Sequence, residues 1–261
     1  MSNYSSGAGL TTPTTADWVS ERPVVFALAI PTTADWVPER AASLERLKAQ
    51  LGHRPVYYRE FRDREPNWSW SAKLWEWGLS TGATHLVQLQ DDVIVSDCFW
   101  QTLRKMVEAL EEDAIIGLES VLDIGRPWYC TGDGLIGVGY VIPREPLGYL
   151  LDFRRALRPG AIEALNEDQL IGLYAHVTGR DIWHPVPTII DHDVDIVSTY
   201  GNDHHTHRRP AKSAVRGDAL PESWAPYWPT PSVPLFYGAT PRLARLHMPS
   251  YSYERYLRES R

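Results

Sequence analysis

The chain has 261 residues, 43% hydrophobic and 23% charged, which is enough apolar material for a globular core. Its 26 basic residues against 33 acidic ones leave a net charge of −7, so no basic excess announces a nucleic-acid surface. Two cysteines, Cys98 and Cys130, exclude a disulfide scaffold and suit a reducing cytoplasm, and no apolar run is long enough for a membrane span.

The first residues lack the charged-then-apolar layout of a signal peptide, so a cytoplasmic location is expected. Residues 13–22 recur as residues 31–40 with one mismatch, Ser20 against Pro38. Two copies are too few for a stacked-repeat architecture. The second copy follows the apolar run 24–30, which predicts a buried strand, whereas a Ser/Gly/Thr-rich stretch precedes the first. Residues 1–20 are therefore expected to be a loosely held leader, and the second copy the working loop.

Strand and helix signals then alternate. Leu44, Leu47 and Leu51 mark a helix ending at Gly52, residues 55–59 a strand, and 69–79 a Trp-studded helix. Residues 85–90 predict a third strand, 99–110 a helix and 114–118 a fourth strand. Later come a glycine-broken strand over 135–142, helices over 143–157 and 167–177, and a last strand over 183–190. This alternation predicts one α/β domain over 21–217, with an open, mostly parallel twisted sheet flanked by helices. Beyond residue 217, seven prolines and several aromatics predict an irregular tail, 218–261, that wraps the same domain.

Eleven Trp and thirteen Tyr against five Phe favour aromatics with a polar edge, which suits either sugar-binding grooves or a Trp-rich core. The most informative chemistry begins at the third strand, which stops at Gln90 and two adjacent acids, Asp91 and Asp92. Ligands of open α/β sheets sit beyond the carboxyl ends of strands. Adjacent carboxylates repel unless a cation or hydrogen-bond donors answer them, and a Mg²⁺ that also grips phosphate would do so. A tight turn or helix cap uses the same residues.

The strand and acid pair, preceded by Gly82-Ala83-Thr84-His85, resemble the "DxD" region of nucleotide-sugar-dependent glycosyltransferases of the GT-A fold. The resemblance implies that Asp91 contacts the donor ribose or the metal, and that Asp92 holds Mn²⁺ or Mg²⁺ against the diphosphate. Gln90 stands where the family often has an acid, removing one charge. Glu167-Asp168, opening a helix behind Asn166, is similar to the family's acidic pair. One member, Asp168 or in another register Glu167, would then be the base of an inverting enzyme. Ordinary helix-start chemistry also explains an Asn cap followed by acids.

His192, flanked by Asp191 and Asp193, resembles the family's closing histidine, which reaches the metal or diphosphate. Either neighbour could orient its second nitrogen. Pro31, Thr32 and Thr33 would form the donor loop, with Arg40 and Lys73 near the nucleotide. Trp128 and Asp133 would line the acceptor side. The resemblance implies a metal-dependent glycosyltransferase taking a nucleotide sugar, a UDP-sugar foremost. Its hydroxyl-bearing acceptor could be a glycan, a protein or a hydroxylated base in DNA. Two other readings stay open: a non-catalytic sugar- or nucleotide-binding module using the Trp-rich helix, and a metallohydrolase using Asp91, Asp92, His192 and the histidines at 204–207.

Overall fold

The computed structural model describes residues 23–53, 55–62, 67–120, 122–132, 134, 135, 137–157, 165–193, 196, 210–227 and 229–232. The leader 1–20, the first repeat copy, Asp133 and the histidines at 204–207 lie outside the described residues.

Strands β1 (Phe26–Pro31), β2 (Tyr57–Phe61), β3 (His85–Leu89), β5 (Ile115–Gly117), β6 (Trp128–Thr131), β7 (Gly139–Pro143) and β8 (Ile182–Pro185) form one sheet, in the order β2-β1-β3-β7-β5-β8-β6. All six residues of β1 are buried, as a central strand with helices on both faces requires. Its neighbours β2 and β3 run parallel to it, as the alternation predicts. The sheet as a whole is mixed. The β5–β8 pair is also parallel, but β7 lies antiparallel between β3 and β5, and β6 antiparallel to β8. The expectation of a mostly parallel sheet therefore holds for the first half and gives way in the second.

Helices pack in two layers. On one face, α2 (Asn67–Ser80), α4 (Arg144–Ala156) and α5 (Glu167–Thr178) bury Leu74, Trp75, Leu147, Leu150, Phe153, Leu170 and Ile171 against Ala27, Ala29, Leu86, Tyr140 and Ile142. On the other, α1 (Pro38–Leu51) and α3 (Phe99–Ala109) bury Leu44, Leu47, Leu51, Phe99, Leu103 and Met106 against Leu28, Ile30, Val87 and Val141. Each such buried side chain contributes about 1.5–3 kcal/mol of transfer free energy. Among the described residues, no helix is long and apolar enough to cross a membrane.

Two local features place the site. First, the chain leaves the main sheet after β3, turns at Asp91-Asp92, and forms β4 (Val93–Val95), which pairs antiparallel with β9 (Ile190–His192) in a second, two-stranded sheet. The single strand expected over 183–190 is thus two strands in different sheets, separated by residues 186–189, where Pro187 withholds a ladder donor. Second, β7 crosses close to β3 and β9. A Cβ on Gly139 would lie 2.9 Å from Ile190 Cδ1 and 3.0 Å from Leu89 Cδ2, so this position has room only for hydrogen.

The C-terminal part packs on the domain as far as it is described. Trp128 Nε1 donates to the Trp224 carbonyl at 2.7 Å, and the Cys130 amide to the Pro231 carbonyl at 2.8 Å. The tail thereby covers the β6 edge.

Candidate active site

The register of the small sheet brings the sequence-predicted residues together. Val93 is paired with His192, and the Asp193 amide donates to the Asp92 carbonyl at 2.8 Å. His192 Nε2 consequently lies 2.9 Å from Asp92 Oδ2, across exactly 100 residues of chain by numbering and adjacent in space. Both side chains are buried.

Asp91 points the other way, into the loop after β1. Its Oδ2 accepts from the Thr32 hydroxyl at 2.7 Å and from the Thr33 amide at 3.0 Å, while Arg40 Nη1 reaches its Oδ1 at 2.6 Å. The same Nη1 lies 2.6 Å from Asp92 Oδ2. Asp91 thus fastens the second repeat copy to the end of β3, and both its oxygens are engaged. The expectation placed Asp91 at the metal or the ribose; its contacts here are to the Thr32–Thr33 loop and Arg40. Arg40 likewise turns inward as the counter-ion of two acids and does not reach outward to a nucleotide. It is 5% exposed.

The charge states follow. Burial opposes ionisation of Asp92, but the hydrogen bond and charge of His192, with the charge of Arg40, hold its carboxyl below the usual range. Burial likewise opposes the His192 imidazolium, yet Asp92 and the charge of Glu119 raise its proton affinity against the opposing charge of Arg40. Glu119, which follows β5, carries no motif in the sequence. It is buried, and burial together with Asp191 and Asp92 pushes it up to about 8 although His192 pulls it down.

Asp191 and Asp193 do not orient His192 as expected. Alternate strand residues face opposite ways. Asp191 Oδ2 is 3.1 Å from Arg216 Nε, and Asp193 is ion-paired with Arg46.

The second acidic pair lies across β7. The Gln90 carboxamide donates to the Gly137 carbonyl at 3.0 Å, and a Cβ on Gly137 would sit 3.6 Å from the Asp168 carboxyl carbon. Asn166 caps α5, its amide donating to Gln169 Oε1 at 3.1 Å, so helix-start chemistry and a placed carboxylate coexist. The pair then divides. Glu167 is buried and accepts from the Tyr140 hydroxyl, which accepts in turn from Trp75 Nε1 at 2.8 Å. Asp168 is half-buried, with Oδ1 accepting from the Gln169 amide at 2.9 Å; burial raises its carboxyl despite that bond. Asp168 is the member available to a ligand.

Three other expectations fare differently. Lys73 is exposed on α2. Pro31 is buried at the end of β1, where it sets the loop's exit. Trp128 does not line an acceptor groove: it is 2% exposed and packed edge-on against Trp183 and Trp224. The Trp-rich helix is similarly committed to the core, with Trp75 fully buried and Trp70 and Trp77 packed against it.

The donor set suits a divalent cation in part. Asp92 Oδ1 is buried and has no hydrogen-bond partner among the described residues, and a carboxylate beside an imidazole is a set Mn²⁺ accepts. No group of three His, Cys, Asp or Glu side chains is poised to hold an ion among the described residues. Two protein ligands with phosphate and water completing the shell is nevertheless a usual arrangement for Mg²⁺. Asp92 and His192 are two of the ligands such an ion would need, and Arg40 Nη1 lies on the same Asp92 oxygen as His192.

No family model and no curated protein matches the chain. Among solved structures it is similar to one titled "Crystal Structure of A197 from STIV", at 14% identity and a TM-score of 0.39, covering 64% of this chain and 84% of that one. A likeness so slight transfers neither a residue role nor an activity.

Proposed function

We propose that this chain is a glycosyltransferase of GT-A type. It would move a sugar from a nucleotide-diphosphate donor, a UDP-sugar foremost, to an acceptor hydroxyl, with Mn²⁺ or Mg²⁺ as its cation. The observation that carries the reading is the meeting of Asp92 and His192 at the carboxyl end of β3, a place from which open α/β sheets bind ligands.

Asp92 and His192 are the residues that would hold the ion, whose chemistry is to neutralise a departing diphosphate. Thr32 and Thr33, fixed by Asp91, present the loop that would receive the nucleoside, and Gln90, whose carboxamide is held by the Gly137 carbonyl, would meet the donor from the β7 side. Asp168 takes the acceptor's proton as its hydroxyl attacks the anomeric carbon, which is the inverting course. Its raised proton affinity makes it a better base than a solvated aspartate, provided it is ionised at working pH.

The test is a panel of nucleotide sugars with Mn²⁺ and Mg²⁺, scored by thermal stabilisation and slow donor hydrolysis. One donor should raise the melting temperature only with metal, and Asp92→Ala should lose that response. If no donor shifts melting and Asp92→Ala behaves as the parent does, the reading fails.

A further inference from the structure

We propose that Glu167 is a positioning residue that holds a proton, so that the single negative charge of the Glu167–Asp168 pair resides on Asp168. The role assigned to Asp168 rests on the function proposed above; the proton on Glu167 does not.

The geometry is the argument. Adjacent acids in the first turn of a helix would both ionise in water, and the helix dipole would favour it. Here their surroundings differ sharply. Glu167 is 3% exposed and closed in by β7 and α2. The hydrogen-bond chain that reaches it, Trp75 Nε1 to Tyr140 Oη to Glu167 Oε1, is made of neutral groups. Among the described residues, the ionisable groups acting on it are Tyr140, from β7, and Asp168, its own neighbour. Neither is a cation. Ionised Glu167 would therefore be a buried charge beside a second carboxylate, answered by one phenol, whereas a neutral acid meets no such penalty. Burial accordingly pushes its carboxyl up to about 8; the Tyr140 bond works against that shift and the Asp168 charge adds to it.

The consequence falls on Asp168. With Glu167 neutral, Asp168 faces no like charge from its neighbour and can ionise alone beside Gly137. The hydrogen-bond chain from Trp75 through Tyr140 holds the Glu167 carboxyl inward, away from Asp168's exposed side. The arrangement separates a pair of chemically similar acids into one proton holder and one carboxylate, the division that a base requires.

Infrared difference spectroscopy between the intact protein and Glu167→Gln tests the proton directly. At neutral pH the intact protein should show the carbonyl stretch of a protonated carboxylic acid that Glu167→Gln lacks. Glu119 is present in both and cancels. The band should fade as pH rises through about 8. An ionised-carboxylate signal in its place at neutral pH overturns the proposal. A second readout concerns positioning: with a donor found by the panel, Glu167→Ala should lower kcat by about tenfold or more, and Glu167→Gln should recover most of the loss. Failure of the amide to recover it, with the fold intact by circular dichroism, also overturns the proposal. If no donor is turned over at all, the infrared result still decides the proton on its own, so the two readings fail separately.

Discussion

The two pairs of adjacent acids at the candidate site, 91–92 and 167–168, are treated in opposite ways. Asp91-Asp92 is met by Arg40 Nη1 at 2.6 Å from each and by His192, which favours the charged form of the buried Asp92. Glu167-Asp168 is met by a phenol and backbone amides, so the charge of the buried member is suppressed. Sequence adjacency is the same in both; what differs is whether a cation from a distant element arrives. Charge state is thus a property of the packing around each pair and not of the motif itself.

This contrast can be broken from either side. The largest effect expected is on turnover: Asp168→Asn should lower kcat about 10²–10⁴-fold, the usual contribution of a general base, with little change in melting temperature. Steady-state rates with the identified donor check it.

Next is Arg40→Ala, which removes the guanidinium shared by two buried carboxylates and leaves Asp92 with His192 and Asp91 with the Thr32–Thr33 donors. Removing one partner of a buried ion pair costs about 3–5 kcal/mol, to be read from urea unfolding. A smaller cost is expected at the neutral pair. Tyr140→Phe deletes the hydroxyl that links Trp75 to Glu167 and should destabilise the protein by about 1–3 kcal/mol.

The pH dependence separates the pairs by sign. Glu167 keeps in the folded state a proton that the unfolded chain gives up, so its contribution to stability falls as pH rises from about 4.5 to about 8. Glu119, shifted to about 8 as well, acts in the same direction, and His192, whose folded value is raised above 6.5, contributes stability that is lost as pH rises through that value. Asp92 runs opposite: its folded value lies below 3.8, so its contribution is present above 3.8 and is lost as pH falls through the lower value. Unfolding measured across pH should therefore show an acid limb that Asp92→Asn removes and an alkaline decline that Glu167→Gln reduces. The smallest effect is at a solvent-exposed pair: Asp35→Ala, which breaks the contact with Arg62 and leaves Arg62 on Glu60, should change stability by less than about 0.5 kcal/mol.

Much of the fold could be read from periodicity. Helix α1 follows from Leu44, Leu47 and Leu51, and α5 from its capping Asn166 and apolar face. Strand β6 escaped because Trp128 to Thr131 is short and flanked by irregular chain, so no period develops. The antiparallel placement of β7 escaped because periodicity carries no direction. At the site, Asp92 and His192 were each singled out in the sequence, and packing brings the two together. Glu119 was invisible, a lone acid after a strand whose significance comes only from its burial beside His192. The inward turn of Arg40 was invisible for a related reason: its partners are 51 and 52 positions away, and no local pattern encodes that pairing.

The central claim is that Asp92 and His192 bind a cation together with a diphosphate. Calorimetric titration of uridine diphosphate into the protein, with and without Mn²⁺, tests it most directly. The account predicts saturable binding that requires the ion and that Asp92→Asn abolishes. Binding of equal strength without Mn²⁺, or binding that Asp92→Asn leaves intact, would contradict it.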